Sequence, residues 1–460
     1  MKTRVNVGCM LFSLALACGL NAEPRRSFYV GVCTHFSQGK GHLSLNLSLI
    51  RQAGAVSIRD EAPWRTVERE KGHFSLPPDY DAYVEGAARA GLAPLIILDY
   101  GNPYYDAGDK PRSPQARAAF ARYAEYLVQR YRDKVKLWEV WNEWDIGIGG
   151  TTPGTAEEYV ELLREVYPRI KKLAPEITVF GGAMTPSGVQ RGWLEAMLRA
   201  GGLKYLDQVS IHTYNYSASG KERTPEAWAE WMQKVQELLR RYNDGREVPL
   251  AITEMGWPTQ IDRRGTPPQV AAAYLARMYL LARTLPFVTG IWWYDFQDDG
   301  WDYAYNEHNF GLVRPEGTPK PAWFALRDVA ELVTHADFVE RVPTPNADIY
   351  VLRFRTQEQE LETWAIWSAH LDDAYEITME HPSMQPRPVR VRLVGSGEFQ
   401  RPWGTRTWTQ HKNAPAQPNR LSLVVGRMPW LVTGELAGAR IVSLERRPSP
   451  ELQRPSLVLY

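Results

Sequence analysis

The stretch from residue 137 to residue 145 reads Leu-Trp-Glu-Val-Trp-Asn-Glu-Trp-Asp, a largely apolar run that reaches the carboxylate of Glu143. A second run, from residue 249 to residue 254, reads Pro-Leu-Ala-Ile-Thr-Glu and ends in Glu254. Both runs are rich in aliphatic and aromatic residues, as expected for strands that are buried on both faces of a parallel sheet. They predict two parallel strands that each carry a carboxylate at the carboxyl end.

Six further apolar runs extend this pattern, and they alternate with amphipathic stretches that predict helices. The eight strand candidates are Phe28–Cys33, Ala55–Arg59, Ala93–Leu98, Leu137–Trp141, Thr178–Gly182, Gln208–His212, Pro249–Thr253 and Val288–Trp293. Several helical stretches begin with residues that suit a cap or a first turn, among them Ser113, Thr155 and Thr224. An open doubly wound sheet would need a glycine-rich phosphate loop after the first strand, and none is present there. Eight β units with interleaved helices instead predict an α/β fold, the closed (β/α)8 TIM barrel.

The pattern changes after about residue 335, where short alternating stretches are separated by Pro, Asn and Gly. These stretches include Ile349–Phe354, Thr363–Trp367, Val389–Val394, Arg420–Val425 and Trp430–Val432. Such short, evenly spaced strands are typical of a β-sandwich. We therefore predict a barrel domain over residues 23–335 and a C-terminal β-sandwich accessory domain over residues 336–460.

Residues 1–22 have the pattern of a signal peptide. Lys2 and Arg4 precede the uncharged, mostly apolar run Val5–Leu20, and a small residue stands before Glu23. The run is short for a membrane span. We expect export to the periplasm or the medium, with contact to a membrane only if the chain is lipidated at Cys18.

Composition narrows the function classes. The 460 residues carry a formal net charge of +1, so nothing points to nucleic acid or to an anionic membrane surface. The 17 Trp and 23 Tyr can fill a large core or line a cleft whose flat rings stack on sugars. Cys33 is the cysteine left outside the predicted signal, which excludes an internal disulfide framework, and its apolar strand predicts a buried side chain. We expect a monomer.

The two carboxylates indicate the chemistry. In a TIM barrel, side chains at the carboxyl ends of the strands converge on one mouth, so Glu143 and Glu254 should face each other across it. Retaining cleavage of a glycosidic bond uses such a pair, about 5–5.5 Å apart, as acid/base and nucleophile. The sequence has no metalloprotease, serine-hydrolase or zinc-site pattern. We expect neither a metal nor another cofactor, because acid/base and nucleophilic catalysis require none.

At this point the sequence resembles a known group of enzymes. Trp141-Asn142-Glu143 after the fourth strand and Thr253-Glu254 after the seventh are similar to clan A, the "4/7" superfamily of retaining glycoside hydrolases. Gly31-Val32 with His35, and the string from Trp138 to Glu143, resemble family 39 in particular. That family includes β-xylosidases, iduronidases and bacterial endoglycosidases encoded with exopolysaccharide biosynthesis genes. The resemblance spans roughly residues 28–335.

The resemblance implies roles for individual residues. Glu143 would be the acid/base and Glu254 the nucleophile, while Asn142 would bind the sugar 2-hydroxyl and Arg59 would orient and ionise the nucleophile. The other residues expected to bind substrate are His35, His212, Tyr214, Trp257, Trp292, Trp293 and Trp301.

Several of these residues keep a second interpretation. Arg59 can instead form a structural salt bridge with Asp60 or Glu61, and His212 can be a core histidine. Trp292 and Trp293 point to opposite sides of a strand, so only one of them can lie under the sugar ring.

Other acidic residues need a separate interpretation. Glu139 shares the facing of Glu143 and should be buried, which favours a structural ion pair over a third catalytic carboxylate. Four aspartates follow the eighth strand, and their spacing favours a loop that lines the substrate over a calcium site. These residues are Asp295, Asp298, Asp299 and Asp302.

The loops that follow the strands are rich in aromatic residues, which favours a long cleft and an endo-acting enzyme on a bacterial exopolysaccharide or matrix glycan. The residues concerned are Tyr100, Tyr104, Tyr105, Trp144, Tyr214, Tyr216, Trp301 and Tyr303. The alternatives are aromatic residues that merely pack the loops, an exo-acting β-xylosidase-like enzyme, a plant xylan substrate, a lyase, or a non-catalytic protein that binds polysaccharide. The expected partner is in each case a polysaccharide or oligosaccharide.

Overall fold

A computed structural model of the chain describes residues 28–356, 361–370, 373–396, 398–401 and 418–447. The predicted signal peptide, with Cys18, lies outside these residues. Eight parallel strands close into a barrel in chain order, which confirms the predicted (β/α)8 fold. The strands are β1 Tyr29–Cys33, β2 Ser57–Pro63, β3 Ala93–Asp99, β4 Leu137–Val140, β5 Thr178–Met184, β6 Gln208–His212, β7 Leu250–Met255 and β8 Val288–Trp293.

Ten α-helices are present in the described residues, most of them in the connections between the strands. They are α1 Leu43–Gln52, α2 Trp64–Val67, α3 Pro78–Arg89, α4 Pro114–Tyr131, α5 Ala156–Leu173, α6 Pro186–Gln190, α7 Trp193–Arg199, α8 Pro225–Arg241, α9 Pro268–Ala282 and α10 Pro321–His335. The predicted caps of α4, α5 and α8 are present: the side chains of Ser113, Thr155 and Thr224 each accept a backbone N–H of the first turn. These bonds fix where each helix begins after its loop.

The bore of the barrel is filled by side chains rather than open. A buried layer of side chains inside the barrel includes Cys33, Leu95, Leu137, Phe180 and Trp292. Cys33 is buried, as the sequence predicts. Because this layer closes the bore, only the carboxyl ends of the strands leave space for a ligand.

The C-terminal region forms two antiparallel sheets. One has the order β14-β13-β16-β11-β10-β9 and the other the order β15-β12-β17. Their strands are β9 Asp337–Arg341, β10 Ile349–Arg355, β11 Glu362–Ser368, β12 Ala374–Glu380, β13 Val389–Leu393, β14 Glu398–Arg401, β15 Arg420–Val425, β16 Trp430–Gly434 and β17 Arg440–Arg447. One apolar core takes Trp364 and Val391 from the first sheet and Ile377 and Leu423 from the second. The sheets are therefore packed face to face, as the predicted sandwich requires.

The sandwich is attached to the barrel by buried polar contacts. Trp367 on β11 donates its indole N–H to Oε1 of Glu226 on α8, at 2.8 Å, and Arg277 on α9 donates to the same carboxylate. Asp328 on α10 accepts the backbone N–H of Gly395 at 2.8 Å. The sandwich thus contacts α8 and α10 on the outer surface of the barrel, and α9 supports the first of these contacts through Arg277. In the described parts of the chain, no helix is both long and apolar enough to cross a membrane.

Candidate active site

Arg59 is the centre of the polar network at the barrel mouth. It lies on β2 and is 3% exposed. Its Nε donates to Oε2 of Glu139 at 2.7 Å, its Nη1 to Oε1 of Glu254 at 2.7 Å and its Nη2 to Oδ1 of Asn142 at 2.8 Å. One rigid guanidinium therefore fixes three side chains from β4, β7 and the loop after β4. Glu139 forms the structural ion pair that its buried position predicted.

Glu254 lies at the end of β7 with both carboxylate oxygens held. Oε1 accepts from Arg59, and Oε2 accepts the phenolic O–H of Tyr214 at 2.7 Å. Burial opposes ionisation of Glu254, but the positive charges of His212 and Arg59 and the hydrogen bond from Tyr214 hold its pKa below the usual value. The side chain is therefore kept as the carboxylate, which is the form a nucleophile needs.

Glu143 and Glu254 are brought together by His212 at the end of β6. Nδ1 of His212 lies 2.9 Å from Oε1 of Glu143 and 3.5 Å from Oε2 of Glu254. One oxygen of each carboxylate and a ring nitrogen of His212 all lie within 4.8 Å of one another. Burial disfavours the charged imidazole, but the charge of Glu254 and the contact with Glu143 raise the pKa of His212. His212 is buried, yet it contacts both carboxylates and is not an ordinary core histidine.

The backbone after β4 explains how Glu143 reaches the mouth. Trp141 has φ +68° and Glu143 φ +50°, both in the left-handed region that side chains other than glycine rarely adopt. The backbone N–H of Glu143 donates to the carbonyl of Ala183 at 2.9 Å, which holds this conformation. As a result β4 ends at Val140, one residue earlier than predicted, and the chain turns Glu143 toward β5.

These residues open into a cleft of about 410 Å³. Its lining includes the aromatic side chains of Tyr100, Tyr214, Tyr216, Tyr294 and Phe310. The amide of Asn142 donates to the phenolic oxygen of Tyr100 at 3.0 Å, which places Asn142 between Arg59 and this wall.

His35 belongs to a second polar cluster at the edge of the cleft. Its Nδ1 lies 3.0 Å from Oδ1 of Asp299 and 3.6 Å from Oδ2 of Asp295. Nζ of Lys40 lies 2.8 Å from Oδ2 of Asp299. Burial lowers the pKa of His35, but the bond to Asp299 and the charges of both aspartates outweigh it and raise the pKa to about 9.

In the described chain, two groups of side chains bring at least three potential metal-ligand atoms together. One group is His35, Asp295 and Asp299, and the other is Glu143, His212 and Glu254. In each group a basic side chain already contacts a carboxylate, Lys40 in the first and Arg59 in the second. Asp298, from the same aspartate cluster, instead pairs with Lys320 at 2.8 Å.

For three of the four tryptophans the predicted contact with substrate is wrong, because they are buried away from the cleft. Trp292 lies in the packed bore, where its Nε1 donates to Oγ of Ser57, and Trp293 packs on Trp257 in the layer beneath the helices. All three are at most 1% exposed, and none lines the cleft. Trp301 is 60% exposed and also lies outside the cleft lining. The reason is register: the next inward-facing position after Trp292 is Tyr294, which is one layer nearer the mouth.

Several cleft residues were not singled out from the sequence. Tyr294, Glu61 and Glu307 line the cleft, as does Phe310. Tyr294 directly follows β8, so its place at the end of a barrel strand could have identified it. Glu307 lies far along the loop after β8, and no local pattern marks it. Of the loop aromatics, Trp144 and Tyr105 are buried and pack the loops, as the alternative interpretation predicted.

The chain is similar in structure to known carbohydrate-active enzymes. A family 39 glycoside hydrolase from the gut symbiont Bacteroides cellulosilyticus WH2 superposes with a TM-score of 0.70 and 28% identity, over 88% of this chain and 81% of that chain. A family 39 β-xylosidase from Caulobacter crescentus matches in fold with a TM-score of 0.63 and 18% identity, over 90% and 97% of the two chains. A family 39 enzyme from Xanthomonas axonopodis pv. citri matches in fold with a TM-score of 0.60 and 14% identity, over 89% and 94%.

Sequence comparison gives a more distant relative. "Probable mannan endo-1,4-beta-mannosidase C" of Aspergillus terreus (strain NIH 2624 / FGSC A1156) is 24% identical over 273 residues, which cover 52% of this chain. The match spans 63% of the length of that relative. No family profile matches the sequence. The family 39 structures and the closed eight-stranded barrel agree with the clan A resemblance of the sequence.

Proposed function

We propose that the chain is a glycoside hydrolase of the family 39 type and that it cleaves a polysaccharide with retention of configuration. Glu143 is the acid/base and Glu254 the nucleophile. The observation that carries this proposal is the approach of the two carboxylates, whose nearest described oxygens lie within 4.8 Å of each other around His212. A pair at this spacing has room for a sugar carbon and its leaving oxygen. Inverting enzymes instead hold their carboxyl groups about 6.5–9.5 Å apart, with a water between them.

In the first step Glu254 attacks the anomeric carbon while Glu143 donates its proton to the departing glycosidic oxygen. The C–O bond to the leaving group breaks as the bond to Oε of Glu254 forms. Arg59 and Tyr214 keep Glu254 ionised and aimed before the substrate arrives, so little reorganisation is needed in the transition state.

In the second step Glu143, now a carboxylate, takes a proton from water, and the hydroxide attacks the anomeric carbon. The bond to Glu254 breaks and the product leaves with its original configuration. His212 lies 2.9 Å from Glu143, so its positive charge stabilises the carboxylate that Glu143 becomes. Asn142, held by Arg59, is placed to bind a hydroxyl of the sugar beside the reacting carbon.

The cleft supports endo action on a bacterial exopolysaccharide or matrix glycan. Aromatic side chains line it from the loops after β3, β6 and β8, which suits a chain of several sugars more than a single terminal unit. Because the fungal relative is named as a probable mannan endo-1,4-beta-mannosidase, β-mannan is the substrate to test first. The β-xylosidase among the structural neighbours makes exo-cleavage of xylo-oligosaccharides the second candidate.

We also propose that the enzyme acts outside the cytoplasm. The support is the basic and apolar pattern of residues 1–22 in the sequence. The C-terminal sandwich, which contacts α8 and α10, is proposed to brace the barrel rather than to bind sugar.

The test is release of reducing ends from β-mannan, xylan, β-glucan and bacterial exopolysaccharides by the purified protein. Glu143→Gln and Glu254→Gln serve as inactive variants, and Glu237→Gln, an exposed carboxylate on α8, serves as the matched control. We expect release by wild type and Glu237→Gln and a loss of about 10³-fold or more in both active-site variants. Nuclear magnetic resonance of fresh product should show the retained anomer.

The outcomes separate the alternatives. Equal release by wild type and both active-site variants would show that other carboxylates or a contaminant act. An inverted anomer would contradict the double displacement. Products with an ultraviolet-absorbing double bond would identify a lyase, and binding of a glycan without turnover would identify a binding protein.

A further inference from the structure

More carboxyl groups than basic groups line the cleft. Six carboxyl side chains line it, those of Asp60, Glu61, Glu143, Glu254, Asp299 and Glu307. The basic side chains in the lining are His35, Lys40 and Arg59. The balance of charge in the described lining is therefore negative.

Each of these basic groups is already engaged with a carboxylate of the protein. Arg59 pairs with Glu139 and Glu254. Lys40 and His35 both contact Asp299, at 2.8 Å and 3.0 Å. Among the described residues that line the cleft, none offers a cation that is free to meet a negatively charged sugar.

Two of the carboxyl side chains, Glu61 and Glu307, have only uncharged hydrogen-bond partners. Glu61, on β2, accepts weak hydrogen bonds from Gln38 at 3.3 Å and from the phenol of Tyr100 at 3.5 Å. Glu307 accepts from Asn306 at 2.6 Å and from the phenol of Tyr294 at 3.4 Å. In the described chain neither has a basic side chain within 4 Å.

Both positions are partly buried and lie close to another carboxylate. Burial raises the pKa of Glu307 and the charge of Glu254 adds to it. Burial also raises the pKa of Glu61, together with the charge of its neighbour Asp60. Such carboxyl groups gain from hydroxyl donors, which supply hydrogen bonds without adding charge.

We propose that the cleft selects uncharged sugar units and rejects uronate-bearing glycans, and that Glu61 and Glu307 determine this specificity. The inference rests on the proposed function, because it assigns the substrate class of the same cleft. Hydroxyls of a neutral sugar can donate to Glu61 and Glu307. A uronate carboxylate would meet two unpaired like charges and no free cation, which is a repulsive element against that ligand.

The test uses pairs of hexasaccharides that differ only in oxidation at C6. β-1,4-Mannohexaose is compared with the β-1,4-mannuronate hexamer, and cellohexaose with the β-1,4-glucuronate hexamer; xylohexaose is a further neutral probe. Binding to Glu143→Gln, which should not turn over the probes, is measured by calorimetry at pH 7. We expect at least one neutral hexamer to bind and its uronate counterpart to bind at least about tenfold more weakly.

The gap is the ratio of the dissociation constants of the uronate hexamer and its neutral counterpart. Adding Glu307→Gln or Glu61→Gln to the Glu143→Gln variant should reduce this gap by about fivefold each. Adding Glu237→Gln should leave the gap unchanged. The gap should also narrow at about 0.5 M salt, because screening acts on charge repulsion and not on shape.

Three results would overturn the proposal: a uronate hexamer that binds as tightly as its neutral partner, a gap that neither substitution changes, or binding by none of the neutral hexamers. The proposed hydrolytic function is judged separately, by turnover in wild type. Selective binding without turnover would therefore contradict the proposed hydrolytic activity but support the proposed preference for uncharged sugars.

Discussion

At the scale of single residues, Arg59 shows why charge alone does not describe the site. The three nitrogens of its guanidinium donate hydrogen bonds to Glu139, Glu254 and Asn142 at the same time. A lysine at the same position would carry the same charge, but its single ammonium cannot span three acceptors that lie in different directions.

We therefore expect Arg59→Lys to be strongly impaired although it conserves charge. Loss of the bond to buried Glu139 should lower the free energy of unfolding by about 1–3 kcal/mol. Activity should fall by about 10²-fold or more because Glu254 is no longer aimed. Urea unfolding and steady-state kinetics measure the two effects. Arg89→Lys, at a 71% exposed side chain on α3, is the control, and equal behaviour of the two variants would refute the assigned role.

Tyr214 gives a second prediction, on pH dependence. The pKa of Glu254 lies below its ordinary value despite burial, through the charges of His212 and Arg59 and the bond from Tyr214. A depressed pKa keeps the carboxylate ionised to lower pH, and its contribution to stability is lost as pH falls through the folded-state value.

Tyr214→Phe removes one of these supports, so the pKa of Glu254 should rise. The acid limb of kcat/KM should move to higher pH, and the acid unfolding transition should move in the same direction. Tyr167→Phe is the matched control, because Tyr167 also donates to a carboxylate, that of Asp207 at 2.9 Å, on the outside of the barrel. An unmoved acid limb in Tyr214→Phe would show that this bond does not tune the nucleophile.

At the scale of elements, the loop from β4 to α5 depends on a buried lysine. Nζ of Lys110 donates to the carbonyls of Ile146, Ile148 and Thr152 at 2.9, 3.2 and 3.0 Å. Burial lowers the pKa of Lys110 to about 8. Ile148 lines the cleft, and the loop begins beside Glu143, so this lysine connects the shape of the loop to the position of the proposed acid/base.

We expect Lys110→Met to leave three carbonyls without their donor and to lower the free energy of unfolding by about 2–4 kcal/mol. Proteolysis within residues 144–155 should become faster, and kcat should fall more than KM rises. Lys172→Met, at an exposed position on α5, should change neither. Unchanged proteolysis of the Lys110 variant would show that the loop holds its shape without the lysine.

Elements also show what the sequence could and could not predict. The barrel strands and helix caps follow from local patterns, because burial on both faces and capping chemistry act over a few residues. That Glu143 and Glu254 meet at the barrel mouth followed from their places at the ends of two strands. The tryptophans of β8 were misassigned because composition does not tell which layer of a barrel a side chain fills. The left-handed turn at Trp141 and Glu143 depends on the contact with Ala183, which is distant in sequence.

At the scale of the whole molecule, the joint between barrel and sandwich is polar and buried. Glu226 is 8% exposed, and it accepts hydrogen bonds from both Arg277 and Trp367. The joint therefore couples the two folds through a charge that water cannot easily reach.

Glu226→Gln should leave the 1% exposed Arg277 without its counter-charge and lower the free energy of unfolding by about 3–5 kcal/mol. Trp367→Phe keeps the ion pair and should cost about 1 kcal/mol. Differential scanning calorimetry would compare both with Glu237→Gln. Equal melting temperatures for all three variants would show that the joint contributes nothing to stability.

The contacts of Arg59 also bear on how the barrel assembles. Its partners lie 80, 83 and 195 positions away in the chain. A folding intermediate that has paired β2 with β3 and β4 but has not yet docked β7 holds a guanidinium that lacks the charge of Glu254. Arg59 keeps its pairing with Glu139 on β4 in such an intermediate, and the open barrel leaves both groups in contact with water. Docking of β7 is therefore the step that buries Arg59 and brings Glu254 into the network, a contact between distant parts of the chain that forms late.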